Sequence, residues 1–182
     1  LKDGAFHSGE DLARVLGGLS RAAVWKLIRE LEVQGLPIFA VRGRGYRLAE
    51  PIEFLDRDKI FAALTEETQG QLSGLEIHSH LDSTSSYLMR QCKSGVAGGL
   101  VCLAEAQSAG RGRRGRSWVS PFAANLYLSL LWQFSTGVAA LSGLSLAVGV
   151  AIARTLRRLG ATEVGLKWPN DLVWCGRKLG GI

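Results

Sequence analysis

Four arginines fall within six positions, Arg111, Arg113, Arg114 and Arg116, with a glycine beside nearly every one of them. The stretch reads Gly110-Arg111-Gly112-Arg113-Arg114-Gly115-Arg116-Ser117-Trp118 and lies between two apolar runs, residues 100–106 and 125–132. Four like charges cannot be buried together, and the flanking runs have strand character, so the segment must be a loop joining two strands. An RNA-binding arginine-glycine segment would normally occupy a disordered tail, and a plain surface loop has no need of the glycines. Glycines let a backbone close round a ligand, while guanidinium forks make paired, charge-assisted hydrogen bonds to carboxylate or phosphate. Mutual repulsion predicts a loop that is mobile when empty and ordered by an anion, with Trp118 able to cover a flat ring.

The rest of the composition bounds the class. Hydrophobic residues make up 47% of the 182, enough for a packed core, yet charge interrupts them too often for a membrane-spanning run. No signal segment is visible, which predicts a cytoplasmic protein without a membrane. Cys92, Cys102 and Cys175 lie far apart without a histidine cluster, so neither a disulfide framework nor a metal site is expected. The net charge of +6 suits an anionic partner.

Residues 1–50 read as two helices and a β-hairpin. Ser8 can cap a helix over residues 10–16 with Leu12, Val15 and Leu16 on one face, ended by Gly17-Gly18. Ser20 caps a second, over residues 21–34, whose Val24, Leu27, Ile28 and Leu31 keep helical spacing and leave Arg21, Trp25, Lys26 and Arg29 opposite. Residues 38–41 and 46–48 read as strands about the turn Gly43-Arg44-Gly45. Two helices about a tight turn serve either DNA binding or protein interaction, since eight Lys or Arg against six Asp or Glu is a modest excess. A basic-tipped wing favours DNA. The DNA-facing set is then Ser20, Arg21, Ala22, Trp25 and Lys26 on the second helix and Arg44 on the wing.

Pro51 marks a linker after residue 50, dividing the chain into domains 1–50 and 51–182. Beyond it, helices are expected at residues 58–64 and 85–91 and strands at 75–80 and 100–106. The alternation of residues 125–132 predicts a strand covered on both faces. A long helix from Leu141 to Leu159 follows, with Leu141, Leu144, Val148, Ile152 and Leu159 at helical spacing on an apolar stripe and Ala147, Gly149, Ala151 and Ala153 letting it lie close to a sheet. Residues 166–168, 172–175 and 178–182 read as short strands, the last two joined at Gly176-Arg177. Asp82-Ser83-Thr84-Ser85, between a strand and a helix, either binds a small polar head or simply caps the helix. Lys167-Trp168-Pro169-Asn170-Asp171-Leu172 sets a lysine, an amide and a carboxylate at a bent junction, and Arg177-Lys178 follows on a hairpin; either lysine alone also suits an exposed structural role.

The arginine loop Gly110 to Trp118, the run Lys167 to Leu172 and Arg177-Lys178-Leu179-Gly180-Gly181, in this order behind a helix-turn-helix, resemble the bifunctional biotin–protein ligases that double as biotin-operon repressors in bacteria, over essentially all 182 residues. The arginine run distinguishes this family from the similarly folded lipoate ligases. The resemblance implies an α+β fold: an N-terminal winged helix-turn-helix, then a mixed-sheet, class II synthetase-like biotin ligase catalytic domain truncated at the C-terminus. Lys178-Leu179-Gly180-Gly181-Ile182 opens a strand that nothing after it covers, so a protein ending there is expected to be poorly stable and nearly inactive.

The resemblance also implies the chemistry. Biotin carboxylate attacks the α-phosphate of ATP, giving biotinyl-5'-adenylate and pyrophosphate. A lysine of the biotin carboxyl carrier protein of acetyl-CoA carboxylase then takes the biotinyl group. Biotin would be held by Ser83, Thr84, Ser85, Gln107, Arg111, Gly112, Arg113 and Lys178, and the nucleotide by Gly110, Arg111, Arg113, Trp118 and Asn170. Arg113, Lys178 and Asp171 would act at the reacting groups, with Mg2+ accompanying ATP. Family members commonly have Ser-Thr-Asn where this chain has Ser83-Thr84-Ser85, which changes the third contact to a hydroxyl. Operator DNA and a homodimer formed with adenylate bound complete the implied partners. The competing reading is a ligand-sensing transcription factor that binds biotin or its adenylate and transfers nothing.

Overall fold

A computed structural model describes residues 1–135, 137 and 141–182, in two compact units, Leu1–Gln133 and Phe134–Ile182. In the first unit, Ser8 accepts from Asp11 N at the start of helix α1 (Gly9–Val15), and Ser20 accepts from Ala23 N at the start of α2 (Arg21–Val33). Each cap satisfies a donor that the helix itself leaves unpaired. Strands β1 (Ile38–Val41) and β2 (Gly45–Leu48) form the antiparallel wing, with Ile38 opposite Leu48 and Val41 opposite Gly45. His7 adds a third rung to it: His7 N donates to Tyr46 O and Tyr46 N to His7 O, both at 2.9 Å.

The core of this winged helix-turn-helix is Ala13, Val24 and Ile28, with Leu1, Leu12, Ile38 and Tyr46 packed against it. The expected inner face of α1 is corrected here. Val15 is 83% exposed, whereas Ala13 is buried, because a small side chain lets the two helices approach and Val15 ends its helix on the far side. Leu27 likewise stands at the surface.

Helix α3 (Arg57–Ala62) starts at Asp56, and a further helix, α4 (Glu66–Gln71), starts at Thr65. The sequence reading has no counterpart for α4, whose residues lack an apolar period; the Thr65 cap and the bonds from Gln69 Nε2 to Phe61 O (2.9 Å) and Leu64 O (3.1 Å) hold it. Strands β3 (Gly74–His78), β4 (Leu100–Ala104) and β5 (Tyr127–Leu131) make a mixed sheet in the order β3-β4-β5, parallel then antiparallel. Helix α5 (Thr84–Lys93) crosses over from β3 to β4 and buries Leu88 against Leu100 and Cys102. In that apolar setting burial pushes the Cys102 thiol up to about 11, so it stays a neutral packing group.

The expectation that β5 is covered on both faces does not hold. Among the described residues it ends its sheet, and the side carrying Tyr127, Ser129 and Leu131 is the one that packs; Leu126, Leu128, Leu130 and Trp132 are 43–66% exposed.

The second unit pairs α6 (Leu144–Arg158) with the antiparallel sheet β6 (Gly165–Lys167), β7 (Asp171–Trp174) and β8 (Arg177–Gly181). Small residues make the contact: Gly149 and Ala153 are buried, and a Cβ on Gly149 would come within 3.1 Å of Leu166 and Ile182 side chains. Of the expected apolar stripe Leu141, Leu144, Val148, Ile152 and Leu159, Ile152 packs against the core while Leu144, Val148 and Leu159 are exposed, and the helix begins at Leu144 rather than Leu141. The β7–β8 turn lies at Cys175-Gly176, one residue before the expected place, with φ of 47° and 73°. Among the described residues, no helix is long and apolar enough to cross a membrane.

Candidate functional site

The mixed sheet gathers one polar cluster at the C-terminal ends of its two parallel strands. Beyond β3 and β4 the chain continues as a parallel bridge between Leu81 and Gln107, which sets the start of α5 beside Gln107. Ser83 and Thr84 are both buried there. Gln107 Oε1 accepts from Thr84 N at 2.8 Å and from Thr84 Oγ1 at 3.2 Å. Thr84 Oγ1 has thus given its proton to Gln107, so the hydroxyl of Ser129, 2.8 Å away on β5, must donate to Thr84. Gln107 Nε2 in turn donates to Ser120 Oγ at 3.2 Å. Ser83 Oγ accepts from Ser86 N at a long 3.4 Å, and Ser85 is exposed on the first turn of α5.

An ion pair fixes the approach to this cluster. Arg90 grips Asp82 with both terminal nitrogens, at 2.8 and 3.0 Å, and Ser83 N donates to Asp82 Oδ1 at 2.7 Å. Arg90, and after it the Ser83 amide, hold the Asp82 carboxyl down at about 2. A carboxylate with its pKa lowered by folding stabilises the fold above the ordinary carboxylate range and loses that contribution as pH falls toward its folded value, here from about 4 to about 2. Arg90→Ala should therefore move the Asp82 titration, followed by carboxyl NMR, up toward the ordinary 3.8. The accompanying loss of stability should be small, because solvent screens a pair whose side chains are 56% and 43% exposed.

The arginine loop rises beside Gln107 as a small hairpin. Trp118 N donates to Gly110 O at 2.9 Å, Arg111 bridges Ser117, and Gly112 N donates to Arg116 O at 2.7 Å. A short 3-10 turn, Arg113–Gly115, makes the tip, with Arg114 in the left-handed region at φ 59°. Gly110 is buried at the foot: a Cβ there would meet Ser120 Oγ at 2.6 Å and Trp118 O at 2.7 Å. Arg111, Arg113, Arg114 and Arg116 all reach the surface, Gly112 and Trp118 are half-buried, and four positive charges surround the loop.

The remaining candidates lie together in the second unit. Lys178 Nζ donates to Asp171 Oδ1 at 2.7 Å across β7 and β8, and Asn170 Nδ2 donates to Ile182 O at 3.0 Å. This ion pair holds the ammonium at the mouth of the hairpin. No three His, Cys, Asp or Glu among the described residues lie close enough to hold a metal ion.

On the winged helix-turn-helix, Arg21, Ala22, Trp25 and Lys26 share the exposed surface of α2, beyond the cap Ser20. Arg44 lies with its guanidinium 4.2 Å above the Phe6 ring, and Arg47 lies over Phe6 and Phe39 at 5.2 and 5.4 Å, within cation–π reach. Sequence reasoning missed Ser120, Ser129 and the buried Glu105, which accepts from Leu55 N at 2.7 Å. For Ser129 a signal existed: a serine alternating with apolar residues at a packed position of a strand.

Residues 78–182 match the Biotin/lipoate A/B protein ligase family, and residues 1–47 match an HTH domain family. The chain is 50% identical over its whole length to the bifunctional ligase/repressor BirA of Salmonella typhimurium, of which it covers 54%. It thus spans about half the length of the curated relatives it matches. Among solved structures it is similar to the biotin protein ligase of Aquifex aeolicus in complex with biotin and ATP, with 31% identity, a TM-score of 0.51, and coverage of 60% of this chain and 45% of that one. The biotin acetyl coenzyme A carboxylase synthetase of Helicobacter pylori with bound biotinylated ATP gives 30% identity and a TM-score of 0.51, covering 59% of this chain and 52% of the other.

Proposed function

Because this chain belongs to the biotin/lipoate A/B protein ligase family, we propose that it carries the biotin-activating part of an ATP-dependent biotin–protein ligase joined to a DNA-binding repressor domain. The observation that carries the reading is the junction of Gln107 with the N-terminus of α5 on one side and the foot of the arginine loop on the other. A ring system with polar edges fits against Ser83, Thr84, Ser85 and Gln107, while the anion formed from it lies under Gly110, Arg111, Gly112 and Arg113. Trp118 packs on adenine, and Asn170 lies near the nucleotide.

In the first half-reaction a biotin carboxylate oxygen bonds to the α-phosphorus of ATP, and pyrophosphate leaves with the electron pair of the broken bond. Arg113 and Lys178 offset the charge that shifts between carboxylate and phosphate, the largest service a site of this kind provides. Asp171, 2.7 Å from Lys178 Nζ, keeps that ammonium aimed until the substrate anions compete for it. Mg2+ would accompany ATP and offset part of the charge on its phosphates. In the second half-reaction a lysine amine of a biotin carboxyl carrier protein attacks the mixed anhydride and AMP leaves.

Residues 1–50 act as the DNA-binding domain and 51–182 as the ligase part, in a cytoplasmic protein that dimerises on its operator when the adenylate is bound. Arg44→Ala should weaken binding to every DNA sequence and lower the slope of log affinity against log salt by about one unit, since one phosphate contact is lost. Substituting Arg21 or Lys26 should change sequence preference instead. An unchanged slope in Arg44→Ala would remove the wing from the DNA contact. The ligase reading is tested with the full-length protein, labelled biotin, ATP and a biotin carboxyl carrier domain: label must appear on its lysine. A protein that binds biotin and DNA yet leaves the carrier unlabelled is a ligand-sensing transcription factor.

A further inference from the structure

We propose that Ser120 is a positioning residue, the joint through which filling of the Gln107 pocket closes the arginine loop; this rests on the reading that biotin lies against Gln107. The amide of Gln107 has only one orientation open to it. Two donors from Thr84 fix Oε1 toward α5, at 2.8 and 3.2 Å, so Nε2 must point toward the loop. One Nε2 proton goes to Ser120 Oγ at 3.2 Å, which leaves the second for a ligand.

Ser120 is tied to Gln107 twice, because Gln107 N also donates to Ser120 O at 3.4 Å. The single hydroxyl proton of Ser120 is spent on Trp118 O at 3.3 Å, and Trp118 N donates to Gly110 O at 2.9 Å. Both feet of the loop and the side chain of Gln107 therefore meet at one hydroxyl. The absence of room there is measurable: a Cβ on Gly110 would come within 2.6 Å of Ser120 Oγ, 2.7 Å of Trp118 O and 3.3 Å of Gln107 Nε2. A pull on Gln107 moves Ser120, and Ser120 moves the carbonyl beside the ring of Trp118.

The experiment uses the full-length protein and biotin alone as the probe, with Ser120→Ala, the near-isosteric weak donor Ser120→Cys, and Ser120→Thr, which keeps the hydroxyl. Biotin affinity is measured by calorimetry, and tryptic cleavage after Arg111 to Arg116 is timed with and without saturating biotin. In the unaltered protein biotin slows cleavage. Ser120→Ala and Ser120→Cys should bind biotin within about threefold of it, lose that protection, and show a KM for ATP raised about tenfold, the equivalent of one hydrogen bond. Ser120→Thr should restore both. Full protection of Ser120→Ala or Ser120→Cys at saturating biotin overturns the proposal, as does loss of biotin binding in a folded variant, which would make Ser120 a wall of the pocket. Failure of the unaltered protein to bind biotin overturns the underlying reading of the site instead.

Discussion

Arg113→Ala and Lys178→Ala are each expected to slow biotin-dependent adenylate formation by about 30-fold to a few thousandfold, the equivalent of losing about 2–5 kcal/mol when one partner of a desolvated charge pair is removed. The two side chains carry this expectation for different reasons. Arg113 opens the turn at the tip of the loop, and in the proposed reaction its guanidinium serves the reacting anions. Lys178 is held at 2.7 Å by Asp171, so its removal takes away a cation and also leaves the Asp171 carboxylate, 26% exposed, without that partner. Arg114→Gly is the control: it removes a loop charge at φ 59°, where glycine relieves strain rather than adding it. Its rate should stay close to that of the parent. Rates near the parent in both Arg113→Ala and Lys178→Ala, with circular dichroism unchanged, would remove these residues from the reaction.

Gly45→Ala should cost about 2–4 kcal/mol of stability in the winged helix-turn-helix and abolish DNA binding, since overpacking and a left-handed backbone add. Gly45 has φ +96°, and a Cβ on it would overlap the carbonyl oxygen of His7 and crowd Ser8 Cα. Those are backbone atoms, and His7 is held there by two hydrogen bonds of 2.9 Å with Tyr46. The wing would have to swing off the N-terminal segment, taking Tyr46 from the core and Arg44 from its place above Phe6. Gly43→Ala separates the two effects. Gly43 has φ +79° but open space around it, so an alanine should cost only the conformational part, about 1 kcal/mol. Equal urea midpoints for the two variants would show that the close approach to His7 contributes nothing.

Local chemistry made much of this fold legible. Ser8 and Ser20 announced two helix starts because a cap is a contact between a side chain and an amide three residues on. The wing followed from two short apolar runs about Gly43-Arg44-Gly45, and the pairing of Ile38 with Leu48 fixes its register. What stayed hidden is non-local. The alternation of residues 125–132 shows two faces but not which of them is covered, and only the pairing order among the described residues puts β5 at the end of its sheet. The small α6 residues were the right clue, yet the leucines beside them drew attention to the wrong stripe. At the site, the order of three motifs sufficed to point to the family, whereas the bonds from Thr84 to Ser129 and from Gln107 to Ser120 span 45 and 13 residues and have no sequence signature. The arginine run was legible as a loop between two strands; the hairpin that ties Trp118 back to Gly110 was not.

Activation of biotin by ATP, the reaction proposed for this site, is read from pyrophosphate release. The full-length protein is mixed with ATP and magnesium, with and without biotin and with and without a biotin carboxyl carrier domain, and both pyrophosphate and AMP are measured. The account predicts pyrophosphate only when biotin is present, retained biotinyl-5'-adenylate in the absence of the carrier, and AMP in step with carrier labelling once the carrier is added. Biotin bound at the site with no pyrophosphate released from ATP would contradict it.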